Sequence, residues 1–441
     1  MTERRRERLV SRWITAACAA CTLGACEPAE SASGVRITFS GSALGAEARV
    51  LGAQFERFER ENPGITVELR PTPDAADQRH QLYVQWLNAR VDDPDILQLD
   101  VIWTPEFAAA GWILPLDRYA PPVDSFFPAS IRANQWDGRL YALPWFADVG
   151  MLYWRTDVLG RAPRDFDELA RVAQTARDAG LPFGMVWQGA RYEGLVTVFV
   201  EHLGGFGGEI LDDSGRVRVD SDAAVRALRF MRASLDDDPR LVPRTALAWH
   251  EEETRFAFQN GQAALMRNWP YAYPLLQDSA RSRVAGRFDI APMPAAPGGT
   301  PTATLGGGQL AINAFSEHPD AAYRLIEFLL RPEQMLERAR VVGQYPTRPA
   351  LYADSAAAEA LPVPAASALR ILSHARPRPV TPVYTELSQI LQIWLHRCLT
   401  GQLEPEQALA SAAREMRALL DRVGLAERTS AGALDARERA R

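Results

Sequence analysis

Three acidic residues, Glu47, Asp100 and Asp148, occupy positions from which they could bind a polar solute. Each lies at the end of a predicted strand or at the mouth of a loop. Two of them have aromatic neighbours, since Trp103 follows Asp100 and Trp145 precedes Asp148. A carboxylate accepts hydrogen bonds from two hydroxyl groups at once, and an aromatic ring packs on the C–H face of a pyranose. Acids beside aromatic residues therefore indicate a carbohydrate-binding site.

A second aromatic group lies in the sequence ALMRNWPYAYP, where Trp269, Tyr271 and Tyr273 fall within five positions. Because prolines interrupt this segment, the three rings cannot share one helix face. We expect Trp269 and Tyr271 to stack on a sugar and Tyr273 to pack under the following helix. A Trp or Tyr taken alone more often packs in a core, and an Asp at a strand end more often caps a helix, so the pattern by itself leaves both interpretations open.

Other kinds of chemistry lack a motif in this sequence. The six histidines show no metal-ligand spacing, and there is no GxSxG elbow or P-loop. The chain contains no lysine, which excludes Schiff-base and pyridoxal-phosphate sites. The glycine-rich stretch GGFGGE follows a predicted helix rather than a strand, so it does not fit a dinucleotide-binding turn. We therefore expect no catalytic residue, no metal and no cofactor.

Strand-like and helical stretches must position these residues, and they alternate along the chain. VRITFSG, ITVELRP and DILQLDVIW predict strands, and the two stretches between them have apolar residues at helical spacing. This order is typical of a parallel sheet covered by helices. A length of 441 residues exceeds one small core. We expect an α/β protein with two lobes and a ligand between them, and the net charge of −6 argues against a nucleic-acid partner.

The N-terminus predicts a targeting segment. A basic stretch, MTERRRERLVSRW, precedes a short apolar stretch that ends in LGAC, and this ending resembles a bacterial lipoprotein cleavage site. Residues 1–25 would be removed, Cys26 would carry lipid, and residues 26–34 would form a tether. Cleavage nearby as an ordinary secretory signal is the alternative. The mature chain would keep only Cys26 and Cys398, the latter predicted as a buried thiol. A lipid anchor places the protein at a membrane, in the periplasm or on the cell surface.

Longer stretches carry a family resemblance. QFERFERENPGITVELRP, GRLYALPWFADVGMLYWRTDVL and TLGGGQLAINAFSEHPDAAYRLIEFLL resemble the solute-binding proteins of bacterial ABC sugar importers. FGMVWQGARYEGLV, MRNWPYAYP and RPRPVTPVYTELSQILQ resemble the trehalose/maltose-binding subgroup in particular. The resemblance extends from about Val35 to Val423, and the order of the motifs is more specific than any one of them.

The resemblance implies a type II periplasmic-binding-protein fold, in which a hinge joins two lobes around a ligand cleft. Residues 35–148 and 305–345 would form the first lobe, and residues 149–304 and 346–425 the second. Residues 426–441 would be a frayed tail. The hinge would lie near residues 148–150, before Leu305 and near residues 343–346.

Eight site residues follow from the resemblance by position. Carboxylates that bind sugar hydroxyls would be Glu47, Asp100 and Asp148, and the arginines at the cleft would be Arg79 and Arg378. Trp269 and Tyr271 would form a stacking wall on the second lobe, and Gly307 would be a backbone donor. The alternative remains that Arg79 lies on a helix surface and that Arg378 caps a helix.

Two positions depart from the subgroup pattern. Gly308 stands where close relatives have Trp, and Phe146 stands where they often have Tyr. We therefore expect a pocket that is roomier and less polar at one end, so that a disaccharide other than trehalose or maltose, a longer oligosaccharide or a modified sugar could fit.

The partners implied by the resemblance are a di- or oligosaccharide and ABC permease subunits driven by a cytoplasmic ATPase, with the binding protein acting as a monomer. A glycoside hydrolase that uses cleft carboxylates such as Glu47 and Asp148 is an alternative. A binding protein for a non-sugar solute, such as a polyol or a peptide, is another.

Overall fold

The computed structural model of the protein describes residues 34–41, 46–73, 76–236, 241–359 and 361–425. The predicted signal peptide, the predicted lipidation site Cys26, nearly all of the predicted tether and the predicted tail lie outside the described residues. Within the described part of the chain, every helix is too short or too polar to cross a membrane.

Fourteen strands lie in the described residues, and most are short. They are β1 Val35–Gly41, β2 Ile65–Pro71, β3 Ile96–Asp100, β4 Gln135–Trp136, β5 Arg139–Leu140, β6 Ala142–Pro144, β7 Asp148–Val149, β8 Met151–Arg155, β9 Phe183–Val186, β10 Ala263–Asn268, β11 Phe288–Ala291, β12 Ala303–Gly306, β13 Gly308–Ile312 and β14 Ala375–Arg376.

Sixteen α-helices lie in the same residues: α1 Ala46–Glu61, α2 Ala76–Asn88, α3 Thr104–Ala109, α4 Pro128–Ala133, α5 Phe166–Asp178, α6 Glu193–Gly205, α7 Asp222–Ala233, α8 Glu251–Gln259, α9 Ala272–Gln277, α10 Pro319–Leu329, α11 Pro332–Val342, α12 Ala350–Ala353, α13 Ser355–Glu359, α14 Ala365–Leu372, α15 Tyr384–Leu399 and α16 Pro405–Arg422. Short 3-10 helices span Asp117–Tyr119, Val123–Ser125 and Arg244–Ala248.

The first sheet has the order β2-β1-β3-β13-β6. Strand β1 runs parallel to β2 and β3, as the alternating sequence predicts, whereas β13 comes from far along the chain and pairs antiparallel with β3 and β6. Helices α1 and α10 cover this sheet, and the buried Phe39 and Leu325 belong to their shared core. The β-branched residues of β1 suit a strand that is buried along most of its length.

The second sheet has the order β11-β8-β10-β9. All six residues of its central strand β10 are buried, because helices cover both faces. Leu265 packs with residues of α6, α15 and α16, and its neighbour Met266 packs with Tyr153 and Phe258. Cys398 lies on α15 and is fully buried, as predicted.

A small third sheet, β14-β12-β7, lies where the chain passes between the two larger sheets. Strand β7 connects β6 of the first sheet to β8 of the second, and β12 leads back to β13 of the first. An isolated bridge joins Ala147 to Tyr345, so the segment that contains Tyr345 is a third passage of the chain at this place. These three passages coincide with the predicted hinge. The boundaries of the two lobes and the hinge motion itself stay predictions.

Candidate functional site

Two strand pairs, one in the third sheet and one in the first, bring two of the predicted acids to one place. Asp148 pairs with Gly306 between β7 and β12, and Asp100 pairs with Gly308 between β3 and β13. The partners of the two acids are therefore two residues apart on one glycine run. This run, residues 306–308, lies between the end of β3 and the start of β7, with Asp100 on one side and Asp148 on the other.

The glycine run leaves little room for side chains at this site. Gly307 has a φ of +113°, which L-residues rarely adopt, and a β-carbon there would overlap the carbonyl oxygen of Phe146. A β-carbon on Gly306 would lie 3.3 Å from Cβ of Asp148 and 3.4 Å from Cζ3 of Trp269. Asp148 and Trp269, which are far apart in the sequence, are thus close neighbours at Gly306.

The three predicted carboxylates influence one another electrostatically. Burial, together with the negative charges of Asp100 and then Glu47, raises the pKa of Asp148 to about 7. The side chain of Asp148 keeps some contact with solvent, but its surroundings disfavour the ionised form. A group that donates hydrogen bonds to this cluster would relieve the repulsion among the three acids.

Glu47 lies in the first turn of α1 and is held by two residues from α11 and the segment that follows it. Nη2 of Arg338 on α11 donates to Oε1 of Glu47 at 2.9 Å, and Nε2 of Gln344 donates to the same oxygen at 3.1 Å. The guanidinium carbon of Arg338 lies 3.8 Å from the centroid of the Trp145 ring. Burial lowers the pKa of Arg338 to about 10, while Glu47 acts in the opposite direction.

Trp269 has a similar support on the second sheet. The guanidinium carbon of Arg267 lies 4.0 Å from the centroid of the Trp269 ring, and the indole Nε1 donates to Glu251 at 3.3 Å. Arg267 itself is fully buried and donates through Nε to Glu201 at 2.8 Å. Glu201 is also fully buried and lies so close to Gly150 that a β-carbon there would overlap it. Arg267 and Glu201 thus connect Trp269 to Gly150, which lies where the chain passes between the sheets.

Tyr271 and Tyr273 have different environments. The hydroxyl of Tyr271 donates to Oε1 of Glu252 at 2.7 Å, and the side chain is half-buried just before α9. Tyr273 lies within α9 rather than ahead of a helix, and its buried ring packs edge-on against Phe288, with centroids 5.2 Å apart. The expected core position of Tyr273 is confirmed, with the correction that it belongs to the helix itself. The ligand contact of Tyr271 stays a prediction.

Arg378 is buried and connects the two sides of the site. Its Nη1 donates to Glu193 at 2.6 Å, and its Nη2 lies 3.6 Å from Asp100. Although burial would lower the pKa of Arg378, contacts with Tyr384, Glu193 and Asp100 raise it above the ordinary value. Arg378 therefore stays charged beside Asp100, which fits the predicted position at the cleft. The alternative of a helix cap does not describe these contacts.

Arg79 and Gly307 have contacts that leave their predicted roles open. Arg79 is buried, donates to the carbonyl of Pro73 at 3.2 Å and lies 5.4 Å from the Trp103 ring. An exposed position on a helix surface is therefore wrong for Arg79. The carbonyl of Gly307 accepts a hydrogen bond from the amide of Val101 at 3.2 Å. Direct contact of either residue with a ligand stays a prediction.

The ring of Phe146 lies directly beside Gly308, and the roomier pocket expected from these two positions stays a prediction. A β-carbon on Gly308 would overlap the ring of Phe146, so this ring already fills the volume next to the glycine. Phe146 is buried and packs against Trp145, with ring centroids 5.5 Å apart. The two departures from the subgroup pattern are thus in contact, and the residue that lacks a hydroxyl occupies the space that the glycine leaves.

Several residues that support the site were missed in the sequence. They are Glu193, Glu201, Arg267, Arg338 and Gln344. Glu201 interrupts the apolar helix LVTVFVEHL, and Arg267 interrupts the apolar strand AALMRN, so a charge inside an apolar run could have pointed to a buried pair. No sequence pattern distinguishes Arg338 or Gln344 from surface residues.

A groove of about 700 Å³ also borders Arg378. Its other side chains include Arg132, Glu209 and Arg376, and it contains charges of both signs. Among the described residues, no Trp, Tyr or Phe lines it. The groove lacks the stacking surface that the cluster of acids has at Trp269, so we base the functional conclusion on the cluster.

Known proteins with similar sequence and structure bear on the family and the fold. The family model for the bacterial extracellular solute-binding protein matches residues 43–336. A "Probable ABC transporter-binding protein" of Deinococcus radiodurans is 36% identical over 360 residues, which cover 78% of this chain and 84% of that protein.

Two solved structures show the same fold. The maltose-bound MalE3 of T. maritima has a TM-score of 0.79 and 42% identity, covering 88% of this chain and 100% of that one. A solute-binding protein of Thermotoga lettingae bound with α-D-tagatose has a TM-score of 0.75 and 25% identity, again covering 88% and 100%. The predicted two-lobed α/β fold is confirmed.

Proposed function

Since the chain belongs to the bacterial extracellular solute-binding proteins and is the solute-binding component of an ABC transporter, we propose that its solute is a disaccharide or short oligosaccharide. Maltose and trehalose are the model compounds of the proposed class. The relatives are binding proteins rather than enzymes, and we propose that this protein likewise releases its sugar chemically unchanged.

One observation carries the proposal. Asp148 lies beside Trp269 at Gly306, and its pKa responds to the charges of Asp100 and Glu47. The site therefore combines acceptors for several hydroxyl groups with an aromatic ring whose other side is supported by Arg267. A sugar presents hydroxyl donors around its edge and C–H groups on its faces, so it suits both parts. The maltose bound to the 42% identical MalE3 supports the same class of solute.

Closure of the two lobes would follow from these contacts. Asp100 and Glu47 belong to the first sheet and its helices, whereas Trp269 follows β10 of the second. A ligand shifts an equilibrium between open and closed forms only by its difference in affinity for the two. A sugar that contacts both the acids and Trp269 binds the closed form better, because only that form brings the two surfaces together. The closed protein would then deliver the sugar to the permease as a monomer.

Binding to a sugar panel tests the proposal. Ligand at about 100 times its dissociation constant raises the free energy of unfolding by about 2.7 kcal/mol, so a thermal-shift assay with maltose, maltotriose, trehalose, glucose and a polyol such as mannitol should identify the class. We expect a shift with at least one di- or oligosaccharide. A shift only with the polyol, or no shift with any compound, would contradict the proposal. Chromatography of the recovered sugar separates binding from hydrolysis, since a shorter product would support a glycoside hydrolase.

Lipid anchoring is the proposed basis of localisation in the periplasm or at the cell surface. It rests on the LGAC sequence that ends at Cys26, outside the described residues. We expect Cys26→Ser to move the full-length protein from the membrane fraction to the soluble fraction of expressing cells. Membrane association that survives this substitution would contradict the proposal.

A further inference from the structure

Arg338 is a buried arginine that holds a predicted ligand residue by a direct hydrogen bond. Its side chain is 1% exposed, and its partner Glu47 is 13% exposed. Nε of Arg338 donates to Oε1 of Gln344 at 3.0 Å, while Gln344 donates to Glu47. Arg338, Gln344 and Glu47 therefore form a closed set of hydrogen bonds that ends at the solute-binding cluster.

The contacts of Arg338 are not those of an arginine that serves stability alone. Among the described residues, its Nη1 is buried without a hydrogen-bond partner. Leaving a donor unsatisfied in the interior is unfavourable. Arg267, by comparison, uses Nε and Nη2 for Glu201 and donates from Nη1 to Gln188 at 3.2 Å. The side-chain hydrogen bonds that Arg338 does make all go to Gln344 and Glu47.

Arg338 also connects Glu47 to two of the passages between the sheets. Its guanidinium lies on the ring of Trp145, just before the first passage. Gln344 belongs to the third passage, where the carbonyl of Tyr345 accepts from the amide of Ala147 at 2.8 Å. The carboxylate of Glu47 is therefore oriented by the same segments that join the two sheets.

We propose that Arg338 is a positioning residue for sugar binding, which together with Gln344 fixes the carboxylate of Glu47 in the orientation that accepts sugar hydroxyls. Both donors bind Oε1, so the plane of the carboxylate is set by two hydrogen bonds from different segments. A side chain that is ordered before the ligand arrives loses less conformational freedom on binding. This inference rests on the proposed function and adds a residue that the sequence resemblance did not assign.

The test measures maltose affinity by isothermal titration calorimetry for four proteins: wild type, Arg338→Gln, Glu47→Gln and the double variant. We expect Arg338→Gln to weaken binding by about tenfold, the lower end of what is found for residues that orient metal ligands. In the Glu47→Gln background the same substitution should change affinity less than about twofold, because its effect passes through Glu47. Equal losses in both backgrounds would overturn the inference.

Arg57→Gln is the matched control. Arg57 joins the same two helices, donating from α1 to Gln334 on α11 at 2.9 Å and pairing with Glu337. We expect maltose affinity within about twofold of wild type for this variant. If Arg338→Gln does not fold by circular dichroism, Arg338→Lys replaces it in the same cycle, because it keeps the charge and loses the planar set of donors.

The outcomes separate this inference from the proposed function. A wild-type protein that binds no sugar contradicts the proposed function and, with it, the role of Arg338. A wild-type protein that binds maltose while Arg338→Gln binds equally well contradicts the role of Arg338 alone.

Discussion

The two sides of the site are built on the same plan with different results. Each has a buried arginine that lies against a tryptophan and pairs with a glutamate: Arg338 with Glu47 on the first side, and Arg267 with Glu201 on the second. On the second side both partners are fully buried, and the tryptophan is the proposed contact with the solute. On the first side the tryptophan is buried, and the glutamate is the proposed contact.

This difference separates what stabilises the fold from what binds the solute. The pair of Arg267 and Glu201 lies under Gly150 and supports the passage between the sheets, so its loss should affect unfolding. The pair of Arg338 and Glu47 ends among acids that repel one another, so it should affect binding more than unfolding. The following variants test that separation, from the largest expected effect to the smallest.

Loss of Glu201 should have the largest effect on stability. Glu201→Gln leaves Arg267 buried without its counter-charge, and breaking a buried ion pair in this way costs about 3–5 kcal/mol of unfolding free energy. Urea denaturation measures it. Glu68→Gln is the control, since Glu68 pairs with Arg36 on the surface and should cost less than about 1 kcal/mol. Equal stability of the two variants would show that the buried pair does not support the passage.

Glu47→Gln sharpens the same comparison in the unfolding experiment. It removes the partner of Arg338, but it also removes one of the charges that repel Asp148. Because these two effects oppose each other, we expect a smaller loss of unfolding free energy than for Glu201→Gln. A larger loss would reverse the assignment of the two sides.

Trp269→Ala should weaken sugar binding with little effect on the free protein. Loss of a central aromatic contact in an interface costs about 2 kcal/mol or more, which is roughly 30-fold in the dissociation constant. Trp394→Ala is the control, because Trp394 packs against the core of the second lobe. We expect that variant to lower the melting temperature and to leave affinity unchanged. A large loss of unliganded stability in Trp269→Ala would mark Trp269 as a core residue.

Gly308→Ala tests the contact that the sequence did not reveal. Because a β-carbon would overlap the Phe146 ring, we expect a loss of about 1–3 kcal/mol in unfolding free energy, typical of overpacking. In the Phe146→Ala background, Gly308→Ala should cost less unfolding free energy than it does in the wild type, because the ring is absent. If Gly308→Ala is as stable as wild type, the ring does not fill the space beside Gly308.

Apart from that order, the raised pKa of Asp148 predicts a pH dependence of the unfolding free energy. In the unfolded chain this carboxyl has a pKa of about 3.9, and in the folded protein about 7. Its contribution to stability is therefore complete below about pH 4 and is lost as the pH rises through about 7. Asp148→Asn should remove this part of the dependence between about pH 4 and pH 7, whereas Asp124→Asn, at an exposed position, should not. Identical pH profiles for Asp148→Asn and wild type would contradict the burial of this acid.

The elements of the fold could be predicted from the sequence where local patterns decide them. The parallel arrangement of β1, β2 and β3 follows from alternating strands and helices, and Cys398 was expected to be buried from its apolar helix. The antiparallel addition of β13 to that sheet could not be read from local patterns, because it depends on a passage from the second sheet back to the first.

The site could be predicted in part. Acids at strand ends next to aromatic residues pointed to Asp100 and Asp148, and the structure does bring these two together around one glycine run. The supporting residues could not be predicted, because Arg338 reaches Glu47 across 291 positions of the sequence. The ring of Phe146 beside Gly308 could not be predicted for the same reason, since the volume at a glycine depends on a side chain from another segment.

A crystal structure of the full chain with the sugar that stabilises it most would test the central claim most directly. We predict one sugar ring on the free face of Trp269, with hydroxyl groups donating to the carboxylates of Asp148, Asp100 or Glu47. A sugar bound elsewhere, for example in the groove lined by Arg132, Glu209 and Arg376, would contradict it if Trp269 and the three acids make no contact with the sugar.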